Sequence, residues 1–426
     1  MNLSLNPRIA ELEESATLKI NQTAKRMRAE GEDVCHLGFG ESPFPVPALL
    51  QQALRENTHH KSYLPGPGLP ELREAVAGFF RKEFGYDAAM DRVFVGPGSK
   101  ELLFDLLYLL EGPLLIPAPS WVSYGPQARM LGKRVQPIPT LRENRHRLQA
   151  EELEQVCREC GSNQKLLILN NPSNPTGSVH HAQELQELSE VCRRYQVLVI
   201  ADEIYALVNF SDRPFIGMAT LYPEGTIVTS GLSKAFSAGG WRLGVALLPE
   251  ALADLAPPWE ALVSETFSCT SAPIQYAAIP AFADYETLRP EVERCVAVHR
   301  AAAKGMWRAL LGLGLNCPEP EGAFYLFPDF EPFREQLAAR KIGTSPELAT
   351  RLLEDAKVAL LPGTAFYMPP DHLSVRVAPV DYDGSGFLEF DGADEQDLTF
   401  PSGEDAVRRI GSFLQNVERS LSCDSI

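Results

Sequence analysis

Gly231-Leu232-Ser233-Lys234-Ala235-Phe236-Ser237-Ala238-Gly239-Gly240-Trp241-Arg242-Leu243-Gly244 sets one lysine among small residues and follows it with an arginine. The stretch lies between two aliphatic runs, Ile227-Val228 before it and Val245 to Leu248 after it. Small neighbours leave the Lys234 amine sterically open. Arg242 offers a planar, permanently charged fork suited to a phosphate dianion. Similar aliphatic runs recur toward the N-terminus. Val93-Phe94-Val95 leads through Gly96-Pro97-Gly98 into an apolar helical pattern beginning near Lys100. Leu114-Leu115-Ile116 ends at Pro117, Leu166 to Leu169 at Asn170-Asn171-Pro172, and Val197 to Ile200 at Ala201-Asp202-Glu203. Continuous apolar runs of this kind are strands buried on both faces of a mainly parallel sheet. The helical patterns between them make an α/β layered domain, a large sheet flanked by helices. Ligands of such sheets sit outside the strand ends, where Ser99, Asn174, Asp202 and Lys234 fall.

The chain has 426 residues, which exceeds the usual single-domain size and implies two domains. From about residue 290 the pattern changes to longer helices and a few strands, Ala323 to Phe327 and Ser374 to Val377. That part reads as a smaller α+β domain completed by the N-terminal segment. The expected division is 1–48 joining the small domain, 49–295 as the large domain, and 296–426 as the small domain. An acidic insertion at about 381–397 carries the turn signals Asp383-Gly384 and Asp391-Gly392 and reads as a surface hairpin or loop. A net charge of −17 argues against a nucleic-acid partner. Met1 to Ala16 lacks the basic start and apolar core of a signal peptide. Leu102 to Ala118 is broken by Asp105, Glu111, Gly112 and Pro113, so no membrane association and a cytoplasmic location are expected. Cys157 and Cys160 fall on an amphipathic helical pattern without a second pair to complete a zinc site. His59-His60 and His180-His181 sit in polar turns, and no metal is expected.

Several short motifs bear chemistry. Gly96-Pro97-Gly98-Ser99-Lys100 turns from strand into helix, where exposed amides and the Ser99 hydroxyl can hold a phosphate. Arg242 and Ser233 supply further phosphate ligands. Asn171-Pro172-Ser173-Asn174-Pro175-Thr176-Gly177 is a rigid turn after a buried strand that aims the Asn174 amide at one point. Asp202 would be buried at a strand end, where a carboxylate either finds a cationic partner or caps the following helix. Tyr205 follows on the same side. Trp121, in Pro119-Ser120-Trp121-Val122-Ser123-Tyr124, reads either as a stacking platform or as a core aromatic. Arg376 interrupts the apolar run Leu373 to Val377, so either a substrate carboxylate or a structural ion pair must neutralise it. A lysine open to Schiff-base chemistry beside a phosphate anchor suggests pyridoxal 5′-phosphate.

From about Ser15 to Val380 the chain resembles the pyridoxal-phosphate-dependent aminotransferases of class I/II, fold type I, in the aspartate aminotransferase superfamily. Gly38-Phe39-Gly40-Glu41-Ser42-Pro43, Tyr63-Leu64-Pro65-Gly66 and Glu321-Gly322-Ala323-Phe324-Tyr325 add to the motifs above. The resemblance implies transfer of an amino group from an L-amino acid to a 2-oxo acid. It gives Lys234 the aldimine and the proton shuttle, and Asp202 the pyridinium. Asn174 and Tyr205 go to the ring hydroxyl, and Trp121 to the ring face. Gly98, Ser99, Lys100, Ser233 and Arg242 go to cofactor binding, and Gly40, Asn174 and Arg376 to the substrate. Tyr63 is implied to reach the phosphate of a neighbouring subunit, which makes the working unit a homodimer. Thr17-Leu18-Lys19-Ile20 is implied to lie over the site mouth. Many relatives carry a hydroxyl residue where this chain has Gly231, which leaves Ser233 or Ser230 to bind phosphate. A lyase on the same fold, of the β-eliminating C–S or aminocyclopropane-carboxylate synthase type, would use the same lysine, aspartate and arginine. It would turn over without a second oxo acid. A cofactor-sensing regulator would carry a DNA-binding helix-turn-helix, which the acidic N-terminal residues do not resemble.

Overall fold

The computed structural model describes residues 3–10, 12–161, 163–389 and 398–423. In chain order the strands are β1 (Cys35–His36), β2 (Val93–Gly96), β3 (Leu114–Ala118), β4 (Val135–Pro139), β5 (Lys165–Asn170) and β6 (Val197–Asp202). They continue with β7 (Thr226–Gly231), β8 (Gly244–Leu247), β9 (Val358–Ala359), β10 (Leu361–Pro362) and β11 (Val375–Arg376). Seven of them make one sheet in the order β2-β8-β7-β6-β5-β3-β4. Only β8 runs against its neighbours β2 and β7; the other pairings are parallel.

Alternation along each strand explains the unbroken apolar runs. Val93, Val95, Leu167, Leu169, Val197 and Val199 enter one core, under the helices Pro70–Phe84, Ala182–Tyr195 and Ala272–Ala283. Phe94, Leu114, Ile116, Leu166, Ile168 and Ile227 enter a second core, under Ser99–Leu109 and Ala256–Glu265. Both faces are therefore covered, as a parallel sheet requires. The edge strand β4 escapes sequence reading because it carries Pro137 and Pro139, which only an edge tolerates.

A separate core gathers Met306, Leu310, Leu326, Leu348, Leu352, Val375 and Ile410 around Cys35 and Leu37. β1 pairs with β9, and β10 with β11. The expected strand Ala323 to Phe327 is reduced to one antiparallel bridge, Leu326 with Val377. The reason is local: the Glu321 and Gly322 amides both donate to the Gly177 carbonyl, and Ala323 takes φ +55°, which breaks an extended run.

The acidic insertion is anchored, not merely solvated. Tyr382, Phe387, Leu388, Leu398 and Phe400 pack on Phe44, Cys295 and Val298. The Gly384 amide donates to the Pro43 carbonyl at 3.2 Å, and Arg294 to the Leu388 carbonyl at 2.7 Å. Residues 390–397 of the insertion, including the Asp391-Gly392 turn signal, lie outside the described residues. Among the described residues no helix is long and apolar enough to cross a membrane.

Candidate active site

The C-terminal ends of the parallel strands converge on a cavity of about 450 Å³. Ser99 and Lys100 follow β2, Trp121 follows β3, Asn174 follows β5, Asp202 ends β6, and Ser233 and Lys234 follow β7. Arg242 precedes β8, and because that strand is antiparallel its beginning lies at the same edge, with Gly244 opposite both Gly96 and Gly231. From outside the sheet come Gly40, Tyr325 and Arg376, with Ser15, Thr17 and Leu18 at the rim.

Three cations face this space from the ends of the sheet strands, and a fourth, Arg376, from the opposite side. Lys100 Nζ stands 5.0 Å over the Trp121 ring, and burial, then the charges of Arg242 and Lys234, press its pKa down. Arg242 donates to the Gly239 and Pro97 carbonyls at 3.0 and 3.2 Å and has no carboxylate partner among the described residues. Gly98 takes φ +89°, and a Cβ there would meet the Arg242 guanidinium at 2.3 Å. Backbone amides, a hydroxyl and uncompensated cations around a glycine turn are groups that can hold a phosphate. Lys234 Nζ donates to the Gly40 carbonyl at 2.8 Å and lies 5.6 and 5.5 Å from the Tyr205 and Phe324 ring centroids.

Asp202 is buried and accepts a 2.6 Å bond from the Tyr124 hydroxyl. Burial raises its pKa to about 6 against the lowering effect of that bond. No cation among the described residues pairs with it, although the cavity wall it forms has room for one. The helix-cap reading fails, because the following residues form turns and no helix.

Arg376 is fully buried at the other side of the cavity. It donates to Asn174 Oδ1 at 3.1 Å and to the Gly38 carbonyl at 2.7 Å, while its Nε has no partner. Burial lowers its pKa, and the only compensation comes from Tyr325 and Tyr205. The structural ion pair is therefore not made among the described residues. Because Asn174 Oδ1 faces Arg376, its Nδ2 is left to donate elsewhere.

The structure brings together every expected residue except two. Gly98 lies behind the cavity wall, under Arg242. Tyr63 is 88% exposed and does not line its own chain's cavity. Ser233 lines the cavity, whereas Ser230 Oγ faces the Glu203 carbonyl at 3.4 Å. Gly231 has no room for a hydroxyl side chain: its Cβ would lie 2.6 Å from the Leu243 carbonyl oxygen. Sequence reading gave no role to Tyr124, which holds Asp202, or to Tyr325, which touches both Tyr205 and Arg376. Both tyrosines stood inside motifs already singled out, yet nothing in their spacing marks a bond across the fold.

Over residues 32–382 the sequence matches the family described as aminotransferase class I and II. It is 36% identical over 376 residues to an aspartate aminotransferase of Geobacillus stearothermophilus, covering 86% of this chain and 93% of that protein. It is 32% identical to an asparagine–oxo-acid transaminase of Streptococcus mutans, covering 86% and 92%. The fold superposes on the Thermus thermophilus aspartate aminotransferase solved with maleate at a TM-score of 0.84 and 28% identity, covering 96% of this chain and all of that one.

Proposed function

The chain belongs to the class I and II aminotransferases and transfers amino groups, and we propose that it does so with pyridoxal 5′-phosphate held on Lys234. The observation that carries this reading is a single cavity bordered by a buried carboxylate lacking a cation, Asp202, and a buried guanidinium lacking an anion, Arg376. The phosphate would sit among the Ser99 and Lys100 amides, Ser233 and Arg242. Asp202 would hold a protonated ring nitrogen, Asn174 Nδ2 and Tyr205 a ring oxygen, and Trp121 the ring face. When bound, that cofactor supplies an electron sink conjugated to the amino acid's Cα.

The chain's own residues do the rest. Arg376 grips the substrate α-carboxylate with the N–H groups that Asn174 and Gly38 leave free, which fixes the Cα–H bond near Lys234. Lys234 Nζ would take that proton and return it two atoms along, on the far side of the amino nitrogen. Tyr124 keeps Asp202 oriented. The names of the relatives support L-aspartate as the amino donor and an oxo acid as the acceptor. The exposure of Tyr63 supports a homodimer in which it completes the partner's phosphate site. We also assign 1–48 and 296–426 to one smaller unit against 49–295. The pairing of β1 with β9 and the packing of Cys35 and Leu37 support this division, whose second boundary falls within the continuous helix Tyr285–Gly312.

A panel of L-amino acids with 2-oxoglutarate, scored for new amino acid product, tests the reading. L-Aspartate should be the best donor. Release of ammonia without any oxo acid would instead assign the site to a lyase.

A further inference from the structure

Tyr325 touches both halves of the cavity. Its hydroxyl lies 2.7 Å from the Tyr205 hydroxyl, and the Arg376 guanidinium sits over its ring 4.6 Å from the centroid. The side chain is 1% exposed and lines the cavity. Gly40, whose carbonyl takes the Lys234 amine, has no space for a Cβ because the Tyr325 hydroxyl would lie 2.0 Å from it. The groups that would handle substrate and ring oxygen thus abut this phenol, and the carbonyl that accepts from Lys234 belongs to the glycine packed against it.

Two hydroxyls that share one hydrogen bond use one of their two protons in it. The Arg376 guanidinium stands nearer the Tyr325 ring, 4.6 Å from its centroid, than the Lys234 amine does to the Tyr205 ring, 5.6 Å, so the Tyr325 phenol is the more polarised and its O–H the better donor of the pair. Tyr205 then accepts from Tyr325, and its own proton is free to point into the cavity. Resting on the proposed cofactor reading, we infer that Tyr325 is a positioning residue: it orients the Tyr205 hydroxyl toward the ring oxygen and couples that bond to Arg376. Without Tyr325, the Tyr205 proton has no fixed direction and its bond to the ring oxygen weakens. A weaker bond leaves more electron density in the ring, so the nitrogen joining ring and lysine holds its proton to higher pH.

The test is a pH titration of the absorbance of the lysine-bound cofactor in the purified, loaded enzyme, without substrate. Tyr325→Phe should raise the midpoint by roughly half a unit to one unit, the scale of one hydrogen bond. Tyr205→Phe should raise it further, and adding Tyr325→Phe to Tyr205→Phe should change nothing more, because the first phenol acts only through the second. An unmoved midpoint in Tyr325→Phe, or an equal extra shift on the Tyr205→Phe background, overturns the inference. If no lysine-bound absorbance forms in the unaltered chain, the cofactor reading itself fails, and the two failures are distinct. Tyr325→Leu, with thermal unfolding in parallel, separates loss of packing from loss of the hydroxyl: packing loss lowers the unfolding temperature in Tyr325→Leu but not in Tyr325→Phe.

Discussion

Replacing Arg376 with lysine keeps the charge and removes the fork, so its cost measures geometry alone. In the native chain one terminal nitrogen donates to Asn174 Oδ1 and the other to the Gly38 carbonyl. Nε–H and one N–H on each terminal nitrogen remain for an incoming carboxylate, and they lie in one plane. An ammonium carries its donors on a single nitrogen. If Asn174 and Gly38 claim two of them, a single N–H is left for the carboxylate. The loss is then about one charge-assisted bond, about 1.5–3 kcal/mol, or roughly tenfold to a hundredfold in kcat/KM for amino acids. Steady-state kinetics with L-aspartate should show that fall. Half-transfer from a simple amine without an α-carboxylate should change less than about threefold, within the spread of indirect effects. Equal losses for both donors would refute the argument, as would a lower unfolding temperature with substrate affinity unchanged. Either result would make Arg376 a structural cation whose compensation comes from Tyr325 and Tyr205.

Three further outcomes are expected. Lys234→Ala should abolish turnover while leaving the fold intact by circular dichroism, and borohydride reduction of the native enzyme followed by peptide mapping should place the cofactor on Lys234 and on no other lysine. Glu203 is buried behind Asp202, bonded by the Tyr86 hydroxyl at 2.7 Å, and burial raises its pKa from 4.5 to about 8. Its folded-state value lies above its unfolded one, so the wild type loses stability as pH climbs through 4.5 to 8; Glu203→Gln should unfold at a higher temperature than wild type by a margin that grows over that range and levels off above it. Mixing a Tyr63→Phe chain that keeps Lys234 with a Lys234→Ala chain that keeps Tyr63 should restore some fully native sites, whereas full activity in a demonstrably monomeric preparation would exclude the shared-site dimer.

The sheet was legible because its strands are buried on both faces. Val93-Phe94-Val95 and Leu166 to Leu169 needed no alternation to be read, since neighbouring residues enter different cores and both are apolar. β4 was not legible, because at an edge proline costs little and the pattern that marks a central strand is not enforced. Ala323 to Phe327 misled for the opposite reason. Its apolar side chains are all buried, yet the segment enters through a turn, with the Glu321 and Gly322 amides spent on Gly177 and that of Ala323 on Val208, and only Leu326 bridges to another strand, Val377. The insertion misled by composition: its acidic count describes its surface, while Tyr382, Phe387 and Leu388 decide where it packs.

The site divides along a similar line. Residues tied to a strand end or a glycine turn, such as Lys234, Asp202, Asn174 and Ser99, are announced by local sequence, because the backbone that presents them needs special residues around them. Tyr325 and Tyr124 act by reaching across the fold, Tyr325 to Tyr205 and Tyr124 to Asp202, and no local rule constrains the partner. The first distance depends on how the end of β6 meets the loop from Glu321 to Tyr325, the second on how the helix beginning at Tyr124 packs beside the end of β6, and both are fixed by packing between remote segments. Arg376 lies between these cases. The sequence shows a charge where a strand should be apolar, which states that an anion is needed. Only the structure shows that Asn174 and Gly38 orient the guanidinium, that no described carboxylate neutralises it, and that it lines the same cavity as Lys234.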